Sequence, residues 1–246
     1  NMAVKNVAFI AYTEYLSDPR VRREAEALAT SGHHVAVFCL ESQLDYQQYS
    51  HQFPQITLSQ IPVRKYRGDK SLSYIKSYTQ FFIAVFIHLH KNQAFDVVHV
   101  HTMPDFLIFS ALRYTSNQWF KRPIILDMHD LMPDLYRIKF NLTKQHPIIK
   151  TLYMIEKSAM AIADHIIVVH EFQKNILMQR NANSKKIITI MNSPDEKIFT
   201  YKHQTQHPLR FVYHGTLLQR YGLDIAIKAF ALTVKQFSAV QFLILG

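Results

Sequence analysis

At 246 residues, 48% of them hydrophobic and 19% charged, the chain has a globular composition with room for one core and part of a second, which excludes disorder of the whole. A formal charge of +10 favours anionic contacts, but the basic residues are scattered and accompany neither paired zinc ligands nor an aromatic RNA-binding strand, so nucleic acid is not an expected partner. A single cysteine rules out an internal disulfide and fits a reducing compartment; Cys39, in the apolar run Val35–Leu40, reads as a small buried hydrophobe.

The chain begins almost at once with a strand pattern, Val7–Ala11, with no secretory signal ahead of it. Ser17-Asp18-Pro19 opens a helix, a capping residue followed by proline at the first helical position. Val21, Ala25, Leu28 and Ala29 give its apolar face, and Gly32 supplies a left-handed end. Strands follow at His34–Leu40, Asp96–His101, Pro123–His129, His165–Val169 and Lys186–Met191, with helices at Ser73–Lys91, Phe106–Tyr114 and Ile149–Ala163. Short Val/Ile-rich runs alternating with helices predict an α/β fold, a doubly wound parallel sheet covered on both faces. The aromatic helix before Lys91, with Lys70 and Lys76 near its start, reads as core packing or as an interfacial contact with an acidic membrane. Its most apolar stretch, Phe81–Leu89, is far short of a bilayer span, so the protein is expected to be soluble or peripheral.

The polar stretch Tyr201–Pro208 precedes a strand (Leu209–Tyr213), a helix (Leu223–Val234) and another strand (Gln241–Leu245). The boundary falls near Asn192–Pro194, giving a first domain over 1–193 and a second over 194–246. Two parallel strands and one helix cannot enclose a core, so the second is expected to be the opening of a longer domain.

Open α/β sheets bind ligands beyond the carboxyl ends of their strands, which selects four places. Arg20 and Arg22 crowd a helix start that disfavours cations: an anion site, or ion pairing such as Arg22 with Glu26. His99 and His101 alternate onto one strand face, where they can bind a metal with Asp127, His129 or Asp130, hydrogen-bond a sugar hydroxyl, or pack structurally. His129, at a strand end beside Asp130, can meet a charged leaving group with its ring N–H or merely cap the strand. In Tyr213–Gly222, Gly215 permits close approach to a pyrophosphate and Arg220 offers a forked cation, unless the segment is a plain turn.

Taken together these segments resemble family-4-type glycosyltransferases. The matching pieces are Asp18-Pro-Arg-Val-Arg-Arg-Glu-Ala with Gly32-His-His-Val; Phe95-Asp-Val-Val-His-Val-His; Leu126-Asp-Met-His-Asp-Leu-Met-Pro; Glu156 with Ala163-Asp164; Met191-Asn-Ser-Pro-Asp with Phe199; and His214-Gly-Thr-Leu-Leu-Gln-Arg-Tyr-Gly-Leu-Asp. The resemblance implies the GT-B fold, two facing Rossmann-like domains with an acceptor-side first domain and a nucleotide-sugar-binding second. It implies metal-independent, retaining transfer, with no cofactor besides a UDP- or GDP-type donor. His129, with Asp130, becomes the catalytic candidate; Gly215, Thr216 and Arg220 fall in the donor loop; Asn192 lies at the interdomain crossover. Arg20, Arg22, His99 and His101 fall to acceptor or anion binding. The loop Tyr12–Ser17 lacks the glycines of many relatives, and Thr216 and Tyr221 stand where many have Arg and Lys. The family's paired glutamates would lie beyond Gly246, so this chain alone is expected to be inactive while a longer parent turns over. A glycan or lipid-linked acceptor, cell-surface polysaccharide synthesis in a bacterium and a cytoplasmic place at the inner membrane face are the associated expectations. The rivals are a metal-dependent hydrolase built on His99, His101 and His129, and a non-catalytic membrane-associated protein.

Overall fold

Short β-branched and aromatic runs make seven strands: β1 (Asn6–Ile10), β2 (His34–Leu40), β3 (Ile56–Ile61), β4 (Val97–His101), β5 (Ile124–Met128), β6 (His165–Val168) and β7 (Ile187–Thr189). All pair in parallel, in the order β3-β2-β1-β4-β5-β6-β7. The direction of growth reverses between β1 and β4, and such a switch point opens a crevice at the strands' carboxyl ends. The computed structural model describes residues 3–42, 44, 46–64, 71–91, 95–115, 122–194, 196, 198–201, 209–218 and 221–246. By internal contacts the chain divides into a unit over Asn1–Ser193, which holds this sheet, and one over Pro194–Gly246.

Strand alternation sorts the core onto two faces. Ala8 and Ile10, with Phe38 and Leu40, join one cluster; Val7, Phe9 and Ala11, with Val35, Val37 and Cys39, join the other. α3 (Ser71–Lys91) covers the first face with Phe81, Val85 and Leu89, and α1 (Pro19–Thr30) covers the second with Val21, Ala25 and Ala29. The sheet is therefore wound on both sides. Asp18 caps α1 by accepting a hydrogen bond from the Arg20 backbone (3.2 Å), and Gly32 ends it at φ +88°. Burial pushes the Cys39 thiol up to about 12, which leaves it an inert core residue.

The expected helix at Phe106–Tyr114 is instead a 3-10 helix over Asp105–Tyr114. Asp105, Ile108, Ala111 and Tyr114 are all buried, a spacing of three that aligns them on a three-residue turn. Four elements go beyond the sequence pattern: β3, α2 (Gln47–Gln52), α4 (Met132–Phe140) and α6 (Glu171–Gln179). β3 is an edge strand with four of its six residues partly or fully exposed, and the three helices have nine residues or fewer, so none carries a long periodicity. α5 (Pro147–Ile162) matches its pattern. His129 stands just past β5, not inside it.

The second unit is a βαβ: β8 (Leu209–His214) and β9 (Val240–Leu245) pair in parallel around α7 (Leu223–Gln236). Gly222 opens α7 in the left-handed region at φ +70°, and no α7 residue is buried. No helix among the described residues is long and apolar enough to cross a membrane.

Asp105 is fully buried with neither carboxylate oxygen hydrogen-bonded, and burial, aided by the charge of Glu156, pushes its carboxyl up to about 8. Unfolded, it ionises near 4; between about pH 4 and about pH 8 the folded state holds a proton the unfolded state has lost, so stability falls as pH rises. Asp105→Asn removes that loss. Between about pH 5 and about pH 9 its stability relative to the parent should rise by on the order of 4 kcal/mol in urea unfolding. An unchanged difference would place the titration elsewhere.

Candidate active site

The register of the central strands assembles the site. β4 pairs with β5 so that His101 lies opposite Asp127, and β1 brings Phe9 opposite His99. Alternation puts both β4 imidazoles on one face, stacked 4.4 Å apart at 9°, with the Phe9 ring 4.6 and 4.9 Å from them. Asp127 is 3% exposed and places Oδ2 3.1 Å from His101 Nδ1 and 2.9 Å from His129 Nε2.

Burial alone would raise the Asp127 carboxyl, but hydrogen bonds from His101 and His129 outweigh it and hold the carboxyl below the usual range. An ionised carboxylate has no proton to give, so both ring nitrogens facing it donate. That fixes the tautomers: His101 carries its proton on Nδ1, His129 on Nε2. His99 and His101 are buried, and desolvation lowers both pKa values, His99 well below its ordinary value, so both stay neutral. His129 is fixed from behind as well. Its backbone N–H donates to Thr102 Oγ1 (3.2 Å), and Gln173 Nε2 donates to the carbonyl of Met128 (2.9 Å).

Glu24 reaches the cluster from α1, with Oε2 3.5 Å from His99 Nε2; burial first, then the neighbouring Asp127 charge, push its carboxyl up to about 8. Ligand atoms of Glu24, His99, His101 and Asp127 all lie within 4.8 Å of one another, a donor set that suits zinc or another imidazole-binding divalent ion. In that set Asp127 Oδ2 already accepts from His101 and His129.

Two cavities meet at His129. The first, about 220 Å³, is lined by Arg20, Arg23, Glu24, Asp127 and His129, then by Asn192 and Ser193 beyond β7. The second, about 150 Å³, is lined by Tyr12, Tyr74 and Tyr78 with Asp18, Asp130 and His101; Arg20 and His129 border both.

The structure thus gathers His99, His101 and His129 around Asp127, with Arg20, Asp130 and Asn192 at the cavity walls. Two expectations change. His99 lines neither cavity and is neutral, so it is no cationic anion site. Arg22 lines neither either: it pairs with Glu26 (3.3 Å) and donates to the Leu16 carbonyl (3.3 Å), the ion-pair alternative. The His129 Nε2 faces Asp127, so a ligand in the cavities meets the ring at Nδ1. Gly215 and Thr216 follow β8 in the second unit, where the Gly215 N–H donates to Leu245 O (3.0 Å) and Tyr213 Oη to Thr216 O (2.9 Å). Arg220 and Lys70 lie outside the described residues.

Sequence reasoning missed three contributors. Glu24 sits inside the quoted Arg-Glu-Ala motif but looks like an ordinary helix-surface acid. Arg23 hydrogen-bonds the Ser193 carbonyl and Asn192 Oδ1, tying α1 to the segment after β7. Arg180, with no motif of its own, holds the buried Glu156 through both oxygens (2.9 and 3.0 Å) and bonds Asp134, fixing α4, α5 and α6 together.

Comparison with known proteins adds a family and a fold. Residues 20–197 match the family described as Glycosyltransferase Family 4. A chitobiosyldiphosphodolichol beta-mannosyltransferase of Debaryomyces hansenii is 26% identical over 148 residues, 58% of this chain and 31% of that protein. A sucrose-phosphate synthase from Thermosynechococcus elongatus superposes with a TM-score of 0.69 at 18% identity, over 98% of this chain and 62% of that one. The Anabaena protein HepE, in complex with UDP and glucose, superposes with a TM-score of 0.55 at 10% identity, over 98% and 70%. The chain spans about a third of the length of the curated relative and under two thirds of the synthase.

Proposed function

The chain belongs to glycosyltransferase family 4, and on that premise we propose that the protein moves a hexosyl unit from a UDP- or GDP-sugar to a hydroxyl of a glycan or lipid-linked acceptor. The observation that carries this is His129, held by Asp127 at the junction of two cavities. The first cavity would take the transferred sugar, with His129 Nδ1 hydrogen-bonded to one of its hydroxyls. The second would bring in the acceptor. The second unit would hold the donor diphosphate near Gly215, Thr216 and Arg220.

In that reaction the bond from C1 to the diphosphate breaks, the acceptor oxygen bonds C1, and its proton leaves with the diphosphate. We propose retention of configuration, with leaving-group charge met by backbone N–H groups and Arg220 and without a metal or other cofactor. What favours this over a metal-dependent hydrolase is the family match over residues 20–197. In the full-length protein, nucleoside diphosphate release from UDP- or GDP-sugars should survive EDTA and give a product with the donor's anomeric configuration. It should fall at least about tenfold in His129→Ala and in Arg220→Ala, about 1.4 kcal/mol each. Stoichiometric metal whose removal abolishes activity would move the assignment to a hydrolase built on Glu24, His99, His101 and Asp127.

A role in cell-surface polysaccharide assembly, at the cytoplasmic membrane face, goes with this reading. α3 supports it: Ile75, Ile83, Phe86 and Ile87 stay exposed beside Lys76 and Lys91, while the rest of its apolar stripe enters the core. Co-sedimentation with phosphatidylglycerol vesicles, weakened by salt and by Phe86→Ser, is the expected result; equal sedimentation with neutral vesicles would count against it.

A further inference from the structure

The second cavity carries information about the acceptor itself. Its walls combine aromatic surface with carboxylates and hydroxyls. Tyr12 and Tyr78 meet edge to face at 4.6 Å and 81°, both more than nine-tenths buried, and Tyr74 extends the wall from α3. Burial raises the Tyr78 hydroxyl further above its ordinary range, so the wall stays uncharged. Thr13 and Thr102 add hydroxyls, and Asp18 and Asp130 add carboxyls.

The charge balance decides which ligands fit. Arg20 is the one cation of fixed charge lining this cavity among the described residues, and it is already spent. Its guanidinium lies 3.4 Å from Asp18 Oδ1, and its backbone N–H also goes to Asp18. Burial opposes ionisation of Asp18, but Arg20 outweighs it and keeps the carboxyl below its ordinary value. The positive end of α1, the natural anion site, is therefore occupied by the protein's own carboxylate. Lys139, whose ammonium stands 4.7 Å over the Tyr74 ring, does not line the cavity. A phosphate or uronate entering here would lose its water opposite two carboxyls, with the one cation of fixed charge already paired to Asp18.

A pyranose has the complementary surface: an apolar C–H face for the tyrosines and hydroxyls to donate to carboxylates, the stronger kind of hydrogen bond. At about 150 Å³ the space is half the roughly 300 Å³ lower end of drug-sized ligand sites, room for one ring. Resting on the transferase reading above, we propose that this cavity is the acceptor subsite and that it selects an uncharged sugar ring over a phosphorylated or carboxylated one. Tyr12, Tyr74 and Tyr78 form its platform, and Asp130 excludes anions.

Saturation-transfer NMR on the full-length protein tests this without any donor. The probes are the methyl glycosides of glucose, mannose and galactose and N-acetylglucosamine, against glucose 6-phosphate and glucuronate. At least one neutral probe should receive saturation at least about tenfold more strongly than either anion, and Tyr78→Ala should cut that signal at least about threefold. Tyr74→Ala, at a half-buried position, gives the same reading if Tyr78→Ala fails to fold. Asp130→Asn should narrow the gap between neutral and anionic probes. An anion that binds as well as its neutral counterpart, or neutral binding insensitive to both tyrosines, or no neutral binding at all, overturns the proposal. Nucleotide release by the same preparation separates the two readings. Donor turnover with an anion-preferring cavity defeats only the acceptor assignment. Neutral-ring binding with no turnover of any donor defeats the transferase reading and leaves a saccharide site.

Discussion

A single carboxylate, that of Asp127, holds the functional end of the first unit together. It is almost completely buried, where an isolated charge is costly, and it persists because two imidazole N–H groups converge on one of its oxygens. Those imidazoles come from β4 and from the turn after β5, so the parallel pairing of β4 with β5 is what brings the three groups within 3.2 Å of one another. The carboxylate also dictates the tautomers, and with them which atom of His129 is left to meet a ligand. Taking Asp127 away would leave two buried imidazole N–H groups without their acceptor, and an unsatisfied buried donor typically costs about 1–3 kcal/mol.

The switch point between β1 and β4 opens the crevice into which this cluster faces, and His129 divides it. One cavity runs towards Asn192 and Ser193 at the end of the first unit; the other runs towards the tyrosines of α3 and of the loop after β1. Arg20 borders both, yet its charge is absorbed by Asp18. The helix start that reads in sequence as an anion site or an ion-paired surface is thereby a charge-paired edge shared by the two cavities. Arg23, one turn on, anchors the same helix to the segment where the first unit ends.

Much of this was legible in the residues. Alternation along His99-Val100-His101 put the two rings on one face because strand geometry leaves no other choice, and Asp18-Pro19 with Gly32 marked the limits of α1 because caps are local chemistry. The β3 edge strand was hidden because its half-exposed residues lack a clean period. The 3-10 run at Asp105–Tyr114 was hidden because a spacing of three passes for helical spacing in a short segment. At the site, sequence pointed to His129 and to its neighbourhood but could not say which ring nitrogen meets a ligand. That assignment depends on Asp127, two residues away in sequence, turning its carboxylate to Nε2, which spacing cannot show. Glu24 and Arg180 were invisible for the same reason: each acts through partners on distant elements, His99 for one and Glu156 and Asp134 for the other.

The central claim is that Asp127 acts through His129, setting its position and which ring nitrogen meets a ligand. Steady-state kinetics of Asp127→Asn in the full-length protein, with the melting temperature followed alongside, address it most directly. An asparagine keeps the shape but cannot accept two N–H bonds on one charged oxygen, so kcat should fall at least about tenfold while the KM for the nucleotide-sugar stays within about threefold. The residual rate should be nearly insensitive to a further His129→Ala change, as expected of two residues acting as one unit. A kcat that stays at the parental level in a folded Asp127→Asn protein, or losses in the two variants that simply multiply, would contradict the account.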